Sequence, residues 1–89
     1  MLKQQIEITN KLGLHARAAA KLVSTAAKFE SQVIVHFAEQ SADAKSIMSV
    51  MMLAAAKGSV LNIMCDGDDE DKAMRAITTL IEDLFGEEE

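Results

Sequence analysis

Residues 2–9 alternate between an apolar and a polar face with one exception, a pattern typical of a half-buried β-strand. Leu2, Ile6 and Ile8 share the apolar face, and Gln4 is the polar exception on that face. The same two-residue period recurs three times further along the chain. We predict strands over residues 32–37, 41–44 and 59–65, with the short middle one at an edge of the sheet.

Three other segments repeat their apolar side chains at three- and four-residue spacing, which predicts helices. The first helix follows His15 directly and is rich in alanine. The second starts after Ser46, a favoured N-cap residue, and is expected to run to Lys57. Gly58 comes next, and glycine is the residue that most often follows the end of a helix.

An acidic cluster, residues 66–71, leads into the third helix. Its last three carboxylates are expected in the first turn, where negative charge complements the helix dipole. The cluster lacks the ligand spacing of a calcium loop, so we interpret it as capping. Gly86 is expected to end the helix, and glutamates 87–89 to fray. The predicted buried stripe of this helix consists of Ala73, Ile77, Leu80, Ile81 and Leu84.

The resulting order is β-α-β-β-α-β-α. The strands are too short and too polar on one face for a parallel sheet covered on both sides. An antiparallel four-stranded sheet with three helices on one face is the expected α+β architecture. The 89 residues are enough for one domain spanning residues 1–89 and able to fold without disulfides.

The second helix carries more apolar residues than one buried face needs. Val50, Leu53 and Ala54 form one stripe, which suffices to anchor a short helix. A second stripe is either additional core or an exposed surface for a partner, and the pattern favours neither. That stripe consists of Ile47, Met48, Met51 and Met52.

Composition narrows the possible functions. The net charge of −5 and the 3% content of aromatic residues argue against a nucleic-acid partner. A single cysteine, Cys65, excludes an intramolecular disulfide, and its inward strand position predicts an inert buried thiol. The sequence contains no cluster of metal-ligating side chains, so we expect no metal ion and no cofactor. The chain shows no signal segment or long apolar run, which predicts a cytoplasmic protein without a membrane association.

The chemistry is expected at His15. A glycine breaks the chain before it and good helix formers follow it, so the imidazole lies at a helix N-terminus. Unpartnered amides and the positive dipole end favour a neutral imidazole and a bound anion. Arg17 adds a planar cation suited to phosphate oxygens. The alternative is an ordinary solvated histidine, which is also our interpretation of His36 on the second strand.

Two short motifs stand out in this chain, Gly13-Leu14-His15-Ala16-Arg17 and Ala44-Lys45-Ser46-Ile47-Met48. Together they resemble the signatures of the HPr family. This family comprises the histidine phosphocarriers of the bacterial phosphoenolpyruvate-dependent sugar phosphotransferase system. Gly13-Leu14-His15-Ala16-Arg17 resembles the active-site motif of the family. Ala44-Lys45-Ser46-Ile47-Met48 resembles its regulatory serine motif, and Lys57-Gly58 before the last strand also matches. The resemblance covers essentially the whole chain.

The resemblance implies an open-faced β-sandwich and a phosphocarrier that needs partner enzymes rather than a self-contained enzyme. His15 would accept a phosphoryl group on Nδ1 from phosphorylated enzyme I and pass it to a IIA domain or protein. Arg17 would steady the group, and an HPr kinase/phosphorylase would modify Ser46. The protein would act as a monomer. The docking surface would comprise Ala16, Ala20, Ile47, Met48 and Met51.

One departure from the family pattern lies beside the active-site motif. Ala18 stands where proline is usual, so the fixed φ angle that proline supplies near a helix start is absent. Two alternative functions remain open. One is a nitrogen-branch paralogue that uses the same histidine chemistry for regulation, and the other is a binding module that transfers no phosphoryl group. The presence of His15 argues against the second.

Overall fold

Four antiparallel strands form one sheet in the computed structural model, which describes residues 1–87. The strand order is β1-β4-β2-β3. Three helices complete an α+β fold, as the sequence pattern predicts. The elements are β1 (Leu2–Glu7), α1 (Ala16–Ala26), β2 (Gln32–Phe37), β3 (Gln40–Asp43), α2 (Ile47–Met52), β4 (Val60–Asp66) and α3 (Glu70–Glu82), followed by a 3-10 turn (Leu84–Gly86).

The core lies between the sheet and the helices. Strand β4 is central, because it pairs antiparallel with both β1 and β2. Its alternating residues Leu61, Ile63 and Cys65 are fully buried, as their period-two spacing predicts. Helix α1 adds Leu22 and α3 adds Ile77 to the same cluster. None of the helices in residues 1–87 is long and apolar enough to cross a membrane.

Helix α2 ends at Met52, so the prediction that it runs to Lys57 is wrong. Ala54 has a φ angle of +51°, which takes the backbone out of the helical region. Ala55 is then buried, and its carbonyl accepts a hydrogen bond of 2.8 Å from the amide of Leu14. A contact with the loop before α1 therefore replaces the last turns of the predicted helix.

The end of α3 also departs from the prediction. The helix stops at Glu82, and the next turn has positive φ angles at Leu84, Phe85 and Gly86. This turn buries Phe85 completely and directs the chain back over the core. The expectation that residues 87–89 fray is wrong for Glu87, whose side chain forms hydrogen bonds with Asn10 and His15. Residues 88–89 lie outside the part of the chain that the structure describes.

The carboxylate of Asp69 serves a different purpose from the predicted one. Asp69 is the N-cap residue of α3, but its side chain makes no capping hydrogen bond. It accepts hydrogen bonds from the Ser31 hydroxyl, the Ser31 amide and the Glu30 amide instead. Asp69 therefore connects the start of α3 to the turn before β2 through hydrogen bonds. Asp69 and Ser31 are 38 residues apart in the sequence.

We expect Asp69→Asn to destabilise the fold at neutral pH and to leave stability nearly unchanged in acid. The Ser31 hydroxyl, followed by the Glu30 amide, lowers the pKa of Asp69 below its ordinary value. An aspartate with a lowered pKa stabilises the folded state above its unfolded pKa of about 4, and that contribution is lost as pH falls through the folded value. Thermal unfolding across pH 2–7 measures the difference, with Asp71→Asn in the same helix turn as the matched control. Equal behaviour of the two variants would contradict this role.

Candidate functional site

His15 is the N-cap residue of α1, as predicted from the glycine break and the alanine-rich run. Its backbone is extended, with φ −73° and ψ 178°, and its carbonyl accepts the first helical hydrogen bond from Ala19 at 2.8 Å. The imidazole makes no capping hydrogen bond to the helix amides. Ala18 is buried inside the first turn, and the helix begins at Ala16 without the usual proline.

The loop before His15 is held by the segment that follows α2. Gly13 adopts a φ angle of +65°, and a Cβ atom there would lie 2.6 Å from the carbonyl oxygen of Ala55. Only glycine accommodates both the left-handed backbone and this close approach. Leu14 is buried beside it and donates its amide to Ala55. These contacts fix where the first turn of α1 begins.

The ring of His15 contacts a carboxylate from the other end of the chain. Its Nε2 atom lies 2.7 Å from Oε2 of Glu87, and the Asn10 side-chain amide donates to Oε1 of the same carboxylate at 2.8 Å. Burial raises the pKa of Glu87, but the hydrogen bonds from His15 and Asn10 outweigh it and bring the pKa below its ordinary value. The carboxylate is therefore ionised at neutral pH. The sequence analysis missed this contact, because 72 residues separate the two side chains.

The 3-10 turn brings Glu87 to this place. Phe85 fills the core, and its carbonyl accepts a hydrogen bond of 2.7 Å from Nζ of Lys21 on α1. Gly86 follows with a φ angle of +76°, and a Cβ atom there would lie 3.0 Å from the same Nζ atom. The glycine expected to end α3 therefore lies four residues beyond the end of that helix, where it turns the chain toward His15.

Arg17 lies on the exposed side of the first turn of α1. Its positive charge is among the causes that lower the pKa of Glu87, which places the guanidinium within electrostatic reach of the same carboxylate. The candidate site therefore combines a helix N-terminus, a histidine, a carboxylate and an arginine. A phosphoryl group beside the ring would meet helix amides and Arg17 as positive partners.

Ser46 is the N-cap residue of α2. Its Oγ atom accepts a hydrogen bond from the Ser49 amide at 3.4 Å and also donates to the Ser49 hydroxyl at 3.1 Å. The side chain is half-buried, and exposed apolar residues follow it directly. This is the N-cap role that the sequence pattern predicts.

The second apolar stripe of α2 is exposed, which excludes the alternative that it is additional core. Val50 is fully buried and Leu53 nearly so, and these residues anchor the helix. Ala54, the third residue predicted for the anchoring stripe, is instead exposed beyond the end of α2. Ala16 on α1 is also exposed and Ala20 is half-buried, so all five predicted docking residues lie outside the core. The fractional exposures in the stripe are 40% for Ile47, 68% for Met48, 40% for Met51 and 73% for Met52.

The remaining reactive residues do not join this site. Cys65 is buried in β4, and this burial raises the pKa of its thiol. His36 is exposed on β2, as predicted. Within residues 1–87, no group of three or more histidine, cysteine or acidic side chains is arranged to hold a metal ion.

Comparisons with known proteins agree with the observed fold. A family model described as the PTS HPr component phosphorylation site matches residues 2–83. The phosphocarrier protein HPr of Neisseria meningitidis is 57% identical over 89 residues, covering 100% of both chains. The crystal structure of HPr-C-His from Thermoanaerobacter tengcongensis superimposes with a TM-score of 0.96 at 48% identity, again over 100% of both chains. The phosphocarrier protein NPr of Shewanella violacea is 38% identical, covering 97% of this chain and 94% of its own.

An open-faced sheet with a histidine at a helix start is the architecture of a small phosphocarrier. The chain belongs to the HPr family of the phosphotransferase system.

Proposed function

We propose that this protein accepts a phosphoryl group on His15 from phosphorylated enzyme I and passes it to a IIA domain or protein in the cytoplasm. The observation that supports this function best is the position of the imidazole. The ring lies at the start of α1, with Nε2 bound to Glu87. A carboxylate only accepts hydrogen bonds, so Nε2 carries the proton and the lone pair is on Nδ1.

The transfer needs little beyond positioning and charge stabilisation. The lone pair on Nδ1 forms the new N–P bond while the bond between phosphorus and its donor atom on enzyme I breaks. That donor atom keeps the electron pair. Amides at the start of α1 and the Arg17 guanidinium stabilise the charge on the phosphoryl oxygens. Transfer to a IIA protein reverses these steps with a different acceptor.

A labelling assay tests this function directly. The purified protein is incubated with enzyme I and phosphoenolpyruvate and analysed by intact mass spectrometry. We expect the mass of one phosphoryl group to be added, and acid to remove it, because the N–P bond of phosphohistidine is labile in acid. Absence of the added mass, or an acid-stable modification, would contradict the proposal.

The docking surface would comprise three residues of the exposed stripe on α2, together with two on α1: Ile47, Met48, Met51, Ala16 and Ala20. An apolar patch beside a charged centre suits transient association better than a permanent complex. Arg17 adds charge at its edge. Ser46, which begins the same helix, is placed where modification by a kinase would alter this surface.

We expect Met48→Glu to weaken transfer from enzyme I without destabilising the fold. Met48 is 68% exposed, so its loss removes little core packing. A residue that contributes to an interface costs about 1 kcal/mol or more when lost, which is about a fivefold rise in KM. The measurement is the initial rate of phosphorylation against the concentration of each variant. Met52→Glu, at the end of the same helix and outside the predicted docking set, is the matched control. Equal losses in both variants would indicate a general charge effect and contradict the assigned surface.

A nitrogen-branch carrier is the second candidate, supported by the match to the Shewanella violacea protein. The identity of 57% to the Neisseria meningitidis protein exceeds the 38% to that carrier, which favours the sugar-type function. The two are distinguished by phosphorylating the protein with sugar-type and nitrogen-type enzyme I in parallel. Faster labelling by the nitrogen-type enzyme would favour the second candidate.

A further inference from the structure

The carboxylate of Glu87 lies in hydrogen-bond contact with the ring of His15. We propose that Glu87 is a positioning residue that keeps the proton of His15 on Nε2 and so makes Nδ1 the reactive nitrogen. This inference rests on the proposed phosphoryl transfer, but the tautomer of His15 that it predicts can be measured in the free protein.

The proton position follows from the chemistry of the two partners. A neutral imidazole has one nitrogen with a proton and one with a lone pair. The 2.7 Å contact joins Nε2 to Oε2 of Glu87, and an ionised carboxylate has no proton to give. Charge-assisted hydrogen bonds are stronger than neutral ones, so the tautomer with the proton on Nε2 is favoured. The lowered pKa of Glu87 agrees with this assignment.

The carboxylate is itself held in place. The Asn10 amide group donates one hydrogen bond to Oε1 of Glu87 at 2.8 Å and another to the Gly13 carbonyl at 2.9 Å. Asn10 is fully buried, and its Oδ1 atom has no hydrogen-bond partner among the described residues. Burying an amide oxygen without a partner is unfavourable, and here the two hydrogen bonds donated by the amide nitrogen offset that cost. Asn10 therefore fixes Glu87 relative to the loop that carries His15.

The backbone around Glu87 supports the same contact. Buried Phe85, the hydrogen bond from Lys21 to its carbonyl and three consecutive positive φ angles define the path of the preceding turn. Strained backbone of this kind persists where surrounding contacts impose it, and it is common at functional sites. Glu87 is thus part of the folded site rather than of a free tail.

Glu87 would also act after the transfer. When Nδ1 forms its bond to phosphorus, Nε2 keeps its proton and the ring acquires positive charge. The carboxylate neutralises this charge through the same hydrogen bond. Its repulsion of the phosphoryl oxygens is weaker, because they are attached at the far side of the ring and Coulomb energy falls with distance. The helix amides and Arg17 further offset that repulsion.

The test combines a spectroscopic and a kinetic measurement on the full chain. Ring-nitrogen chemical shifts of ¹⁵N-labelled protein report which nitrogen of His15 carries the proton. We expect the Nε2–H tautomer to dominate in the wild type and in Glu82→Gln, a matched control on the exposed last turn of α3. In Glu87→Ala we expect a mixture of tautomers and a roughly tenfold slower phosphorylation by enzyme I, the size expected for losing one charge-assisted hydrogen bond. Glu87→Gln keeps an acceptor oxygen without the charge, so its values should lie between those of the wild type and Glu87→Ala.

The outcomes separate the inference from the proposed function. An unchanged tautomer ratio in Glu87→Ala overturns the positioning role even if the wild type is phosphorylated normally. A tautomer shift in Glu87→Ala, together with a wild type that enzyme I does not phosphorylate, supports the positioning role and contradicts the proposed function. Thermal unfolding checks that both Glu87 variants are folded when measured.

Discussion

Replacing His15 by alanine is expected to abolish acid-labile phosphorylation by enzyme I and phosphoenolpyruvate. The imidazole supplies the lone pair that forms the N–P bond, and alanine has no group that replaces it. The fold should survive, because the side chain makes no capping hydrogen bond to α1. The loss of its contact with Glu87 should lower the unfolding temperature only slightly, since that carboxylate keeps its hydrogen bond from Asn10. Intact mass spectrometry and thermal unfolding of the same sample measure both effects.

The second histidine provides the control for this prediction. His36 is exposed on β2, and the chain contains no third histidine. We expect His36→Ala to be phosphorylated at the rate of the wild type. Retained acid-labile labelling of His15→Ala would place the acceptor elsewhere. Loss of labelling in His36→Ala would show that the sheet face contributes to the reaction.

The Ser46→Asp variant should accept the phosphoryl group from enzyme I at least about tenfold more slowly than the wild type. Aspartate is as good an N-cap residue as serine, so α2 should remain intact. The added charge instead lies beside Ile47 and Met48 on the exposed stripe. Docking would then bury an unpaired carboxylate in an apolar contact, which costs more than the about 1.4 kcal/mol that corresponds to a tenfold change.

The control for Ser46→Asp carries the same charge change on another surface. Ser41 is exposed on β3, where it pairs across the strands with His36. Ser41→Asp should be phosphorylated at nearly the wild-type rate. A Ser46→Asp variant as fast as the wild type would exclude regulation of enzyme I docking by charge at this position. Phosphoserine carries about −1.5 to −2 charges, so the modified protein should be slower still.

The alternating and helical patterns predicted all seven main elements and the antiparallel sheet. They failed at two helix ends, after Met52 and after Glu82. The backbone there adopts positive φ angles at Ala54 and Leu84, which are not residue types that signal such a conformation. Packing against the His15 loop and burial of Phe85 impose these turns. Local propensity contains no information about such contacts.

The sequence by itself determined the positions of His15, Arg17 and Ser46 on their helices, because a helix start is specified by residues within a few positions of it. It also determined that α2 carries two apolar stripes, but not that Ile47, Met48, Met51 and Met52 are the exposed ones. Only the tertiary structure decided that, since burial depends on which surface meets the sheet. Only the tertiary structure placed Glu87 against His15, because a contact across 72 residues depends on the path of the whole chain.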